Sequence, residues 1–308
     1  MRGNQASGFL PLTGLYEPSA IVQLADGRFL VVEDEKEHPF SLVEIDLHGR
    51  VESSPLEPGW FEGDDGFWKL DDLEGLTLDR SGWIHAVTSQ SLSGDGEQKK
   101  SREKLVRFRI EGDRVSAPEV VKGLKSALVA AHPELAAAAR LSDVKGRGGL
   151  NVEALEFSAD NARLFVGFRS PLRDKRALVA SIENPSTLFE KDESPRIAPA
   201  LEALDLGGNG IRGMSYLLNL DGFLMIAGPA SEVSKSFQLW FWRGETGAPA
   251  RRVSIPGLSG LAHAEGICPA LIDGQQKIVI VSDDGDRERG RFAHYALLDP
   301  GDLRIAAE

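Results

Sequence analysis

The stretch "GLNVEALEFSADNARLFVGFRSP", Gly149 to Pro171, opens one alternating apolar run with a carboxylate, Glu153, and closes a second with a guanidinium, Arg169. A carboxylate can hold a hard cation, take a proton or pair with an arginine. A guanidinium can pair with it, or receive a carboxylate or phosphate through its planar fork. The arrangement recurs. Glu74 opens "LEGLTLDRSGWIHAVTSQ" and Glu265 opens "AEGICPALIDGQQKIVIVSDDGD". Arg212 takes the glutamate position in "IRGMSYLLNLDGFLMIAGP", and Ser19 takes it in "PSAIVQLADGRFLVVEDE". A second recurring position ends the second run of each copy: Asp34, Ser89, Arg169, Gly228 and Asp283.

The elements that must position these residues are short strands. Each copy reads as a polar residue, a small residue, an aliphatic strand, a turn with Asp, Gly or Asn, and a second apolar strand. A third strand follows in "FSLVEIDL", "KLVRFRIE", "ALVASIE", "FQLWFWRG" and "RFAHYALLD", and a fourth is legible in "RVSAPEVV" and "RRVSIPGL". Turns such as Asp26-Gly27, Ser81-Gly82 and Asp221-Gly222 mark antiparallel hairpins. Units of this kind in series predict an all-β chain folded as a β-propeller of five blades, or six if a degenerate blade lies in the long interval between Glu74 and Glu153. The last unit is short of a strand, so the N-terminal "GFLPL" is expected to supply one and close the ring. Residues 1–308 then form a single propeller domain. The long interval carries the one clear helix, Ser126 to Leu141, with Ser126 as N-cap, Pro133 splitting it, and "KGRGG" ending it. It is expected to cap one face of the ring. Trp60, Phe61, Phe67 and Trp68 lie in a polar loop, where aromatic rings either line a ligand or tuck under the rim.

In a propeller the innermost strands line a central channel, so Ser19, Glu74, Glu153, Arg212 and Glu265 should meet at one mouth. Three glutamates there repel unless something neutralises them. Three resolutions are open: a Ca²⁺ or Mg²⁺ ion held by Glu74, Glu153, Glu265 and Asp283; an internal ion network with Arg169 and Arg212; or an anionic ligand received by Arg169 and Arg212, with Ser89 and Asp34 beside them. Asp283, Asp284 and Asp286 lack the glutamate that a helix–loop–helix calcium loop requires.

Composition narrows the partners. Net charge is -12, with 47 acidic against 35 basic residues, which argues against nucleic acid and anionic membranes. The only dense basic run, "KKSREK" at Lys99 to Lys104, reads as a solvated loop. No apolar stretch is long enough to span a bilayer, and the N-terminus is too polar for a signal peptide. One cysteine, Cys268, excludes an internal disulfide and any multi-cysteine metal site. A cytoplasmic location is the expectation. HExxH, GxSxG and phosphate-loop patterns do not occur. His38 and His263 fall near the inferred mouth, whereas His85 reads as a packed imidazole and Cys268 as buried filler.

"DLEGLTLD", "GLNVEALEF", "GFRSPL", "GIRGMSY", "IAGP", "AEGI" and "VSDDGD" occur in this order, and together they resemble an uncharacterised bacterial family of propeller-like proteins, a domain of unknown function, over nearly the whole chain. More distantly the repeats are similar to the esterase-like phytase, strictosidine-synthase-like and lactonase propellers. That resemblance implies a site at the mouth, often with calcium, and hydrolysis of an ester, lactone or phosphoester. The chain departs from the lactonases in lacking their ring of Asn and Asp ligands and in having two arginines. Two functions follow. One is a metal-dependent hydrolase in which Arg169 and Arg212 hold the substrate's anionic group. The alternative is a non-catalytic scaffold that binds a protein or a small anionic ligand.

Overall fold

The five hairpin units form strands whose central members are apolar on both faces, as in Phe29–Glu33, Leu164–Ser170 and Gly222–Gly228. A sheet buried on both faces must stack against others, and radial stacking achieves this without exposing long edges. In the computed structural model, which describes residues 8–34, 39–58, 66–142, 144–231, 237–258, 260–261 and 263–307, five antiparallel sheets do so. There are five blades, and among the described residues of the long interval no sixth occurs.

The first blade runs Pro18–Gln23, Phe29–Glu33, Phe40–Ile45, Val51–Pro55, and the second Leu73–Leu78, Ile84–Thr88, Lys104–Glu111, Arg114–Lys122. The third runs Asn151–Phe157, Leu164–Ser170, Ala177–Ile182, Glu202–Leu204. The fourth runs Gly210–Leu217, Gly222–Gly228, Gln238–Trp242, Arg251–Ser254. The fifth has Ala264–Ile272, Gln275–Ser282 and His294–Leu298, and its outer strand is the N-terminal Leu10–Pro11, with Leu10 opposite Tyr295. The expected closure is present. A second tie was not anticipated: the C-terminal strand Arg304–Ile305 pairs with the outer edge of the fourth blade.

Apolar clusters fill the wedges between blades, and the helical insertion belongs to one of them. Its helices are Leu124–Ala131 and Pro133–Ala138, divided at Pro133 as expected, with a short Val144–Arg147 beyond, so the span expected from Ser126 to Leu141 is corrected to Leu124–Ala138. Gly123 in a left-handed conformation, not Ser126, precedes the first helix. Pro133 starts the second, where its missing N–H costs no helical bond. Leu124, Leu128, Leu135 and Ala138 pack between the second and third blades, so the insertion fills a wedge instead of capping a face.

Other expectations resolve locally. Phe67 is buried, stacks on Phe40 and meets Phe108 edge-on, tucked under the rim. Trp60, Phe61 and His38 lie outside the described residues. The basic run is not a solvated loop: Lys104 is buried and its ammonium donates to the carbonyls of Gly66 and Lys69, the latter at 2.7 Å, while Arg102 pairs with acids at the mouth. His85 is 2% exposed between Phe157 and Phe189, and Cys268 is equally buried.

Candidate functional site

The residue that opens each inner strand is set apart by the pairing register. The ladder to the second strand skips Ser19, Glu74, Glu153, Arg212 and Glu265, one in each blade. Each therefore occupies a β-bulge, the device by which a strand re-aims one side chain without ending its pairing. The next residue is always Gly or Ala, for a steric reason. A Cβ on Gly213 would lie 2.0 Å from the Glu265 carbonyl oxygen, and one on Gly266 2.9 Å from Ala20 Cα. Small residues let neighbouring inner strands approach, and the bulges turn the preceding side chains into the channel.

All five bulged side chains line one cavity of about 700 Å³ at the channel mouth. Asp34, Arg169 and Asp283, from the second recurring position, line it too. Ser89 does not: it is buried, and its hydroxyl sits 2.8 Å from that of Ser91, which takes its place in the lining. Gly228 lies beneath Arg212, where a Cβ would come within 2.8 Å of the arginine stem. Below the ring only about 10 Å³ remains, among the inner-strand residues Ile21, Leu76, Leu155, Met214 and Ile267. That is about the least that holds one water, so the space narrows sharply below the mouth.

Half of the ring is a closed ion network. Arg212 donates to Glu153 Oε1 at 3.3 Å, its Nε is 3.0 Å from Oε2, and its Nη2 contacts Glu265. Arg169 donates from Nη1 to Glu153 at 3.1 Å and from Nε to the Pro229 carbonyl at 3.1 Å. Asn151 adds a 2.7 Å bond to Glu153. Burial pulls the Arg212 guanidinium below its usual range, and Glu153 opposes that shift. The Arg169 Nη2 has no described partner, and the side chain is 15% exposed at the cavity.

The other half is acidic. Arg102 pairs with Asp72 at 2.9 Å and Asp71 at 3.3 Å, and the Ser91 hydroxyl donates to Asp72 at 3.1 Å. Glu74 receives no hydrogen bond from a described residue. Burial, then the charges of Glu153 and Asp72, hold its acid well above the usual carboxylate range. Asp34 opens to the cavity, yet desolvation and the neighbouring Asp72 push it to about 6. Eight carboxylates line the cavity against three guanidiniums.

The four residues expected to hold a cation are all in this lining, but Arg212 stands between two of them, Glu153 and Glu265. Among the described residues no three His, Cys, Asp or Glu side chains are gathered as a metal site. Sequence reasoning missed Asp71, Asp72, Ser91, Arg102 and Asn151. One signal was available: "LDDLEG" places two acids directly ahead of Glu74.

No helix among the described residues is long and apolar enough to cross a membrane. No curated protein matches the sequence. Solved structures similar in fold include hydrazine synthase of Kuenenia stuttgartiensis, at 10% identity and TM-score 0.40, covering 92% of this chain and 80% of that one. A crystal structure of glucose dehydrogenase matches at 10% identity and TM-score 0.46, covering 94% and 99%. YCF48 from Cyanidioschyzon merolae matches at 13% and 0.38, covering 93% and 68%. Residues 124–299, more than half of the chain, match the family model described as Protein of unknown function (DUF3616), and the chain belongs to that family.

Proposed function

We propose that this protein is a ligand-binding β-propeller whose working site is the acidic half of the mouth, where Ser19, Asp34 and Glu74 receive positive charge. The observation that carries this is the imbalance of the cavity, in which Arg102, Arg169 and Arg212 are already engaged by Asp72, Glu153 and Glu265. A ligand cation would offset the burial and the Glu153 and Asp72 charges that raise the Glu74 acid, which Arg212 offsets only in part. The pocket is also of the size that encloses small molecules. Arg212 stabilises the ring in this reading and receives no anion.

The same acidic excess favours a divalent cation as a second reading, with oxygens from Asp34, Glu74 and Asp283 and not from the four-carboxylate set. Bound Ca²⁺ or Mg²⁺ would supply the Lewis acid for hydrolysis of an ester, lactone or phosphoester. Thermal unfolding with putrescine, Ca²⁺, EDTA and sulfate tests both. A midpoint raised by putrescine or Ca²⁺, and not in the Asp34→Asn/Glu74→Gln double variant, supports positive-charge binding. A rise with sulfate alone returns the site to an anion, and esterase and phosphatase assays with and without Ca²⁺ decide the hydrolase version.

A further inference from the structure

Three features of the mouth do not follow from cation binding alone. First, Ser19 is 5% exposed, lines the cavity, and its hydroxyl has no hydrogen-bond partner among the described residues. A hydroxyl on a side chain otherwise buried, with its oxygen open to the pocket, is free to bond a ligand without first giving up a protein partner. Second, Arg169 uses Nε and Nη1 on the protein and leaves the two N–H groups of Nη2 to the cavity. The ion network around it pairs two arginines with Glu153 and Glu265, so the repulsion an incoming carboxylate meets comes from the acidic half of the mouth, which a ligand's own ammonium group would offset. Third, the inner strands of the first, second and third blades approach within 8 Å in turn, and Arg169, bonded to Glu153 on the third, lines the same cavity as Glu74 and Ser19.

From this polarity, and resting on the reading above, we propose that the mouth binds a free α-amino acid as a zwitterion, its carboxylate on Nη2 of Arg169 and its ammonium group among Ser19, Asp34 and Glu74. Hydroxyl and carboxylate acceptors call for N–H donors. No aromatic side chain lines the cavity among the described residues, which removes the cage that a quaternary ammonium ligand uses. Burial first, and then neighbouring carboxylates, raise the acids at Asp34 and Glu74, and an ammonium group would offset part of that cost. Among the described residues the cavity wall is almost wholly polar, with Leu92 its one large apolar residue, so small and polar side chains fit best.

The test is calorimetric titration of the purified chain with the free L-amino acids. Each binder is then compared with its C-terminal amide, which keeps only the ammonium, and its N-acetyl form, which keeps only the carboxylate. The expected result is binding of at least one free amino acid, with both capped forms at least tenfold weaker. Arg169→Met should remove the advantage of the free acid over its amide, whatever it does to the amide's own affinity. Should that variant fail to fold, the comparison of capped forms in the wild-type chain still decides. An amide that binds as tightly as the free acid overturns the carboxylate contact while the positive-charge reading stands. If no free amino acid binds but putrescine or Ca²⁺ does, the zwitterion is likewise overturned. If none of these probes binds, both readings fall.

Discussion

Arg212 on the fourth inner strand lies between Glu153 on the third and Glu265 on the fifth, with Nε 3.0 Å from Oε2 of Glu153. All three side chains are at least nine-tenths buried, so removing one leaves an unpaired charge in a desolvated ring. Arg212→Met is expected to cost about 3–5 kcal/mol, the range for breaking a buried pair. Urea denaturation reads this directly. A change below about 1 kcal/mol, as for an ordinary surface substitution, would show that the network is not holding the blades together.

Glu74 differs because no described residue donates to it. Its folded-state acid lies above the usual value, so the folded chain keeps this proton when the unfolded chain has lost it. Stability from this group is therefore full at low pH and declines as pH rises toward the folded-state value. Glu74→Gln should remove the decline. Denaturation curves of the two proteins should converge near pH 4 and separate at pH 8, with the variant the more stable. A less stable variant at pH 8 would mean that the carboxylate has a favourable partner.

At the opposite end of the channel Glu156 ties three blades. It accepts from Thr77 at 2.6 Å, Phe157 N–H at 2.8 Å, Ser215 at 3.1 Å and Tyr216 N–H at 3.2 Å. Burial, opposed by these donors, pushes its acid to about 7. Its contribution is full below the ordinary glutamate range and lost as pH rises through about 7. Glu156→Gln would set an amide NH₂ against a backbone N–H and should cost about 1–3 kcal/mol at pH 5. Equal stability at that pH would contradict the four-donor clasp.

Asp34 gives ligand binding its own pH signature. With its acid near 6, the site gains a charge as pH rises through that value. Putrescine affinity should therefore increase between pH 5 and 7, and Asp34→Asn should flatten that rise. Binding that is independent of pH in the wild-type chain would remove Asp34 from the site.

Gly213 tests the packing of the inner strands. An added methyl would lie 2.0 Å from the Glu265 carbonyl oxygen, which belongs to a backbone fixed in the next blade. Gly213→Ala should cost at least about 1–3 kcal/mol, the usual penalty for overpacking. Tolerance without loss of stability would mean that the ring can widen.

The blades were legible in the sequence because strand alternation and hairpin turns are local properties, visible in "LADGRFLVVE" or "LNLDGFLMIAG" without knowledge of the rest. The positions of the channel residues were legible for the same reason: a charged or polar residue before Gly or Ala recurs five times. Their bulges were not, since a bulge exists only against a partner strand. Nor was the division of the ring into a neutralised half and an acidic half, because Arg212 and Glu153 are 59 residues apart and meet only when the ring closes. Ser89 and Ser91 look equally suited in sequence, and the turn at Gln90, with its positive φ, decides which faces the cavity. Glu156 reads as an ordinary polar residue in an alternating strand, and burial among donors from the second and fourth blades changes its chemistry. Local pattern determined the strands and the residues nearest the axis. Which charges are paired, and which are left for a ligand, was decided by distances that only the closed ring creates.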